Sequence, residues 1–247
     1  MRLRDLQDIY FGHDIYIIGS GPSINIFPKE FLRDKICISL NASYKSSKFI
    51  TPIAFMHHIV YSRKGNLIED PIHPFFKNIK YPVVKGTGKT KKEKVDWDND
   101  HYYFFDWNHD IEKIYQLTKR TDELFYTPEG CAMQAAMQLA WIIGARNIFL
   151  IGCDSRVLGE KHYADFEMDG FRNMEILKRG NTRNYDSYVY GALIVMDFLK
   201  RKGINVFNLS NIVGYHMIDF QYDTINEKFP IKDVNEFIKD LSYVEKK

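Results

Sequence analysis

DIYIIGSGPSIN, residues 14–25, joins an unbroken apolar run, Ile15 to Ile18, to an abrupt glycine-rich turn, Gly19-Ser20-Gly21-Pro22-Ser23. A short apolar run without polar alternation reads as a strand buried on both faces, as in a parallel sheet. Gly19 and Gly21 allow a sharp turn, a positive φ and a close approach of a ligand. Pro22 and Ser23 suit the opening of a helix over Ile24 to Phe27, whose first amides point back at the turn, where a phosphate is well held. The same turn also serves as a plain strand-to-helix connection, and at this point both readings stand. It is not the dinucleotide fingerprint, because Ile24 occupies the third glycine position, and no Gly-Lys-Ser/Thr follows to make a P-loop.

Two more apolar runs follow the same plan. Lys35 to Leu40 reads as a second strand ending at Asn41, and Pro52 to Met56 as a third ending at His57-His58. Open α/β sheets bind ligands outside the carboxyl ends of their strands, so three successive polar strand ends suggest one site. The histidine pair is equally at home as a structural pair.

Farther on, FYTPEGCAMQAAMQLAWIIGARNIFLIGCDSR, residues 125–156, carries the next units. Thr127 suits a helix cap, Pro128 a first helical position and Glu129 the positive helix end. Cys131 to Ile143 is apolar on nearly every face, broken only by Gln134 and Gln138, which predicts a helix buried on most sides. Gly144 ends it, Asn147 to Ile151 reads as a core strand, and Gly152-Cys153-Asp154 closes that strand. Thr127, Glu129, Gly130 and Asp154 are therefore candidate site groups, while Glu129 and Asp154 equally suit capping and pairing. Beyond a polar loop, Gly159 to Asp165, and a basic one, Arg179 to Asn184, Tyr185 to Arg201 has helical spacing, Asn205 to Leu209 reads as a strand, and Val234 to Val244 as a short amphipathic helix. Strands alternating with helices predict an α/β, doubly wound, mostly parallel sheet in a single domain over residues 1–247.

Residues 62–125 break the pattern. They hold the basic run Lys85 to Lys94 and the aromatic-acidic run Trp97 to Trp107, with short strand signals at Tyr81 to Val84 and Tyr102 to Phe105. The segment reads as an inserted lid beside the sheet. Its basic run is either a solvated loop or an arm that closes over an anionic donor or rests on acidic lipid.

Charge and cysteine content narrow the classes. A net charge of +2 argues against a nucleic-acid binder, while local basic patches still suit an anionic substrate. Cys37, Cys131 and Cys153 lack metal-ligand spacing, and two lie in apolar runs, which predicts reduced, buried thiols in an intracellular protein. No signal-peptide core and no apolar run of spanning length occurs, so the expected location is cytoplasmic, at most peripheral to the inner membrane.

Taken together, IIGSGPSI, the Asn41 step, the His57 strand end and the TPEG-helix-GARNIFLIGCD block with its Tyr-containing loop resemble the small bacterial sialyltransferases that decorate lipooligosaccharide. Their wider superfamily includes motility accessory factors and MptE-like pterin diphosphokinases. The resemblance covers about two thirds of the chain, in four blocks, and implies a Rossmann-like, nucleotide-sugar-binding glycosyltransferase. Such an enzyme would pass a sugar, such as a nonulosonic acid, from a CMP donor to a cell-surface glycan or protein. It implies that Gly19, Ser20, Gly21, Pro22, Ser23 and Asn41 hold the donor phosphate and sugar, with Ser20 where the family has Asn. His57 stands where the family often has an Asn that meets the donor, and Thr127 to Gly130 matches its nucleotide-binding turn, with Pro128-Glu129 in place of a small polar pair. Asp154 and Tyr163 match an acidic strand end and a tyrosine that steadies the leaving phosphate. The family's histidine before the long C-terminal helix is absent, for Tyr185, Asp186 and Ser187 stand there. Glycosyl transfer needs a base for the acceptor hydroxyl, and His162, beside Tyr163, is the first candidate and Asp186 the second. No metal is expected for this chemistry. Two alternatives stay open: a diphosphokinase using ATP and magnesium, and a non-catalytic nucleotide-sugar-binding protein.

Overall fold

The computed structural model describes residues 2–19, 21, 24, 32–41, 43, 52–56, 79–85, 103–120, 124–127, 131–153 and 183–209. Eight strands form one sheet: β1 (Asp14–Ile18), β2 (Ile36–Leu40), β3 (Ile53–Met56), β4 (Tyr81–Lys85), β5 (Tyr103–Asn108), β6 (Leu124–Tyr126), β7 (Asn147–Ile151) and β8 (Asn205–Asn208). Their order is β6-β5-β4-β3-β2-β1-β7-β8, and every neighbouring pair is parallel. The four strands expected from the apolar runs at Ile15, Ile36, Ile53 and Asn147 lie side by side, as β3-β2-β1-β7.

Both faces are covered, which is why these runs carry no polar alternation. Ile15 and Ile17 belong to the larger core with Ile38, Ile53, Phe55 and the helices α1 (Ala132–Ile142) and α2 (Arg183–Arg201). Tyr16 and Ile18 face the other way, into a second core with Ile24, Leu32, Cys37, Phe149 and Ile151. On that face Tyr16, Phe149 and Phe207 stack in register across β1, β7 and β8, with centroids 4.9 and 5.1 Å apart. Trp141 of α1 meets Phe198 of α2 edge to face at 5.0 Å, a geometry favoured by the ring quadrupoles.

The segment expected as a lid supplies three consecutive strands of the main sheet: β4, β5 and β6. Residues 57–78 and 86–102, including the basic run after Lys85, lie outside the described residues. The sequence signal was weak because β4 begins Tyr81-Pro82. Pro82 fits because pairing with β5 starts only at Val83, so the missing N–H costs no ladder bond on that side. β6 is short and lies at the sheet edge, and Gln138 of α1 serves as its missing neighbour. Its side-chain oxygen accepts from Tyr126 N at 2.9 Å and its amide nitrogen donates to Tyr126 O at 2.8 Å. One of the two buried glutamines of a mostly apolar helix thus satisfies an edge strand.

At the amino edge, the first residues form a hook. Leu3 and Leu6 are fully buried, and the amides of Asp8, Tyr10 and Gly12 donate to the carbonyls of Ile142, Ile143 and Gly144 at 3.0, 2.9 and 2.8 Å. These bonds satisfy carbonyls that a helix C-terminus leaves open. Gly144 takes φ +96°, and a Cβ there would lie 2.6 Å from Phe11 Cα. Asp14 accepts from Arg146 Nε and Nη2, at 3.1 and 3.0 Å, and from the Asn147 side-chain amide at 2.8 Å, and Arg120 pairs with Asp8.

Candidate functional site

The chain moves outward from β1 to β6 in one direction, then α1 carries it back across the sheet to β7 on the other side of β1. The switch point therefore lies between the carboxyl ends of β1 and β7. In open parallel sheets the connections on the two sides of such a point leave on opposite faces, and the crevice between them is where ligands bind. The sequence places its glycines there.

Gly19 follows β1 and Gly152 follows β7, and the two backbones touch. A Cβ on Gly19 would lie 2.7 Å from the Gly152 carbonyl carbon and closer still to its oxygen; a Cβ on Gly152 would lie 2.8 Å from Gly19 O. Real Cβ atoms do not approach this closely, so neither position accepts another residue without movement. The turn is further tied by Gly19 N–H to Ile151 O and Gly21 N–H to Gly152 O, each 2.7 Å, and Ile24 N–H to Gly21 O, 3.3 Å.

This arrangement changes the reading of the turn in two respects. The positive φ expected as an option at Gly19 falls on Gly152 instead, at +65°. The amides of Gly19, Gly21 and Ile24 are donated within the protein, so any phosphate at this corner must find its donors on other groups. Gly19 is needed first for close packing of β1 against β7.

Beside this corner, β2 is followed directly by Asn41, which takes a left-handed φ of +49°. Asparagine tolerates that conformation better than most side chains, which gives the residue a backbone reason as well as a polar group at the edge. Two residues on, the fully buried Ser43 donates its hydroxyl to Ile18 O at 2.7 Å, the last carbonyl of β1. Two residues before Asn41, the buried Ser39 hydroxyl has no hydrogen-bond partner among the described residues.

Thr127 closes β6 at the same edge of the sheet. Its side chain is buried, and its hydroxyl accepts from Cys131 N at 3.0 Å. The helix begins at Ala132 with Cys131 as its cap residue, later than the cap at Thr127 that the sequence suggested. Thr127 thus ties the turn that leads into α1. Its own amide donates to Asn108 O at 2.9 Å, and its carbonyl accepts from His109 Nδ1 at 3.2 Å, which assigns the ring proton to Nδ1. Three interstrand steps in a flat sheet would hold β6 roughly 14 Å from β3. Phe55 of β3 nevertheless reaches Phe125 of β6 with centroids 5.8 Å apart, so ring length and sheet twist bring β6 inward on the α1 face.

Of the expected site residues, Gly19, Gly21 and Asn41 gather at the switch point, and Thr127 sits on the same edge, joined to α1. Asp186 falls in the first turn of α2. Ser20, Pro22, Ser23, His57, Glu129, Gly130, Asp154, His162 and Tyr163 lie outside the described residues. Gly152, Ser43 and His109 were not among the candidate site residues; the roles of the first two become visible only when β7 and β2 are set against β1. The three cysteines are free and buried. Burial pushes the Cys131 thiol up to about 11 and the Cys37 thiol higher, so neither is a nucleophile near neutral pH. Among the described residues no three His, Cys, Asp or Glu side chains gather in a metal-binding group, and no helix is long and apolar enough to cross a membrane.

No protein-family model matches this chain, and no curated protein matches it either.

Proposed function

We propose that the protein is a glycosyltransferase of the sialyltransferase kind, which binds a CMP-linked sugar at the β1/β7 switch point and transfers it to a glycan or protein acceptor. The observation that carries this reading is the juxtaposition at one sheet edge of the Gly19/Gly152 corner and the Asn41 turn, where open parallel sheets hold nucleotides. The resemblance of the surrounding motifs to lipooligosaccharide sialyltransferases supplies the nucleotide and the reaction class.

In the transfer, a base removes the proton of the acceptor hydroxyl and the acceptor oxygen bonds to the anomeric carbon. The bond from that carbon to the phosphate oxygen breaks, and CMP leaves with the electron pair. His162 is the first candidate base and Asp186 the second. Stabilising the leaving phosphate falls to donors around the turn, Ser20 and Ser23 with Tyr163, since Gly19 and Gly21 already donate elsewhere.

A thermal-shift screen with CMP, UDP, GDP and ATP, with and without magnesium, tests the reading. A ligand at 100 times its Kd stabilises the folded state by about 2.7 kcal/mol, so CMP should raise the Tm without magnesium. A response to ATP and magnesium alone would favour the diphosphokinase, and CMP binding without turnover of any CMP-sugar the non-catalytic binder. His162→Ala should leave CMP affinity intact and slow transfer by roughly 10².

A further inference from the structure

The Asn41 turn and the glycine turn come from different strands, and their relative position decides whether one ligand can meet both. Ser43 is the link between them. It belongs to the β2 exit, is fully buried, and donates its hydroxyl at 2.7 Å to Ile18 O, on the residue directly before Gly19. The register already sets Ile18 beside Ser39. The chain then turns at Asn41 with φ +49° and returns through Ser43 to the same Ile18. Ile18 is thus held by β2 at two points, one before the Asn41 turn and one after it. The glycine turn is held in the same way from the other side, by the donations of Gly19 and Gly21 to Ile151 and Gly152.

We propose that Ser43 is a positioning residue: its hydroxyl clamps the Asn41 turn onto the end of β1 and so sets the affinity of the site for its phosphate-bearing ligand. This rests on the nucleotide reading above for the identity of the ligand, and on the fold alone for the clamp. A buried hydroxyl–carbonyl bond whose loss frees one turn from the other should weaken binding roughly fivefold.

The test compares Ser43→Ala, Ser43→Thr and Arg146→Ala, the last removing an ion pair at the opposite edge of the sheet. Calorimetry with CMP and amide hydrogen exchange are measured on each. Ser43→Ala should lose roughly fivefold in CMP affinity, raise KM for a CMP-sugar while leaving kcat within about twofold, and speed exchange at Asn41 and Gly19 together. Ser43→Thr, which keeps the hydroxyl, should restore the affinity, and Arg146→Ala should lower stability with no change in affinity. Wild-type CMP affinity in Ser43→Ala, or an equal loss in Arg146→Ala, overturns the positioning role. If the wild-type protein binds no CMP, the nucleotide reading fails, and exchange then decides the clamp: Asn41 and Gly19 amides indifferent to residue 43 overturn it.

Discussion

Gly144 at the amino edge and Gly19 at the carboxyl edge both face backbone atoms that a Cβ would strike, yet their surroundings differ. Around Gly144 the hook of residues 8–12 supplies donors to the end of α1, and Asp8, Asp14, Arg120 and Arg146 close the edge with ion pairs. Around Gly19 no charged side chain takes part among the described residues. The corner is made of two glycines, one left-handed asparagine and backbone bonds to β7. One edge is closed by side chains that water and salt can weaken; the other is held by steric fit with polar groups left over. Ser39, buried and without a hydrogen-bond partner among the described residues, is one of those groups. The contrast is consistent with the proposal that ligand contact falls at the second edge, where backbone fit rather than ion pairing holds the strands together.

The largest effect should come from Gly19→Ala, where the new methyl group meets the Gly152 carbonyl, a backbone atom that cannot swing aside. Overpacking of this kind should cost about 3 kcal/mol or more, and β1 and β7 should separate at the switch point. Denaturant titration measures it, and near-wild-type stability would dissolve the difference between the edges.

A smaller loss is expected for Gly144→Ala. Both its positive φ and the Phe11 backbone oppose a methyl, but Phe11 lies in the hook, which is tied to the end of α1 by backbone bonds rather than set between core strands and can shift with it. A cost of about 2 kcal/mol, with faster amide exchange at Asp8, Tyr10 and Gly12 and unchanged nucleotide affinity, would sharpen the contrast. A drop in affinity matching that of carboxyl-edge variants would erase it.

The smallest change, and the one of opposite sign, is predicted for Ser39→Ala. Removing an unsatisfied buried hydroxyl should leave stability unchanged or raise it by up to about 1 kcal/mol, seen as a higher midpoint at unchanged m-value. A clear destabilisation would mean that the hydroxyl has a function in the fold, and the carboxyl edge would then be as fully satisfied as the amino edge.

Local sequence determined the parallel core. Ile15 to Ile18, Ile36 to Leu40, Ile53 to Met56 and Asn147 to Ile151 are apolar without alternation because each must bury both faces, and that requirement is written in every residue of the run. Asn41 and the glycine turn were legible for a related reason: turn chemistry is local, and a polar or glycine residue directly after an apolar run marks a strand end. What no single segment contained was pairing at a distance. Gly19 needs to be glycine because of Gly152, Gln138 is buried because Tyr126 lies on an open edge, and Ser43 matters because of Ile18. The same limit hid the membership of β4 to β6 in the sheet, since short runs with a proline and polar neighbours gain their stability from the adjoining strands and α1 rather than from their own pattern. Strand order itself, and with it the switch point between β1 and β7, was decided only when the chain returned across the sheet, because contacts between residues more than a hundred positions apart leave no periodic trace in either segment.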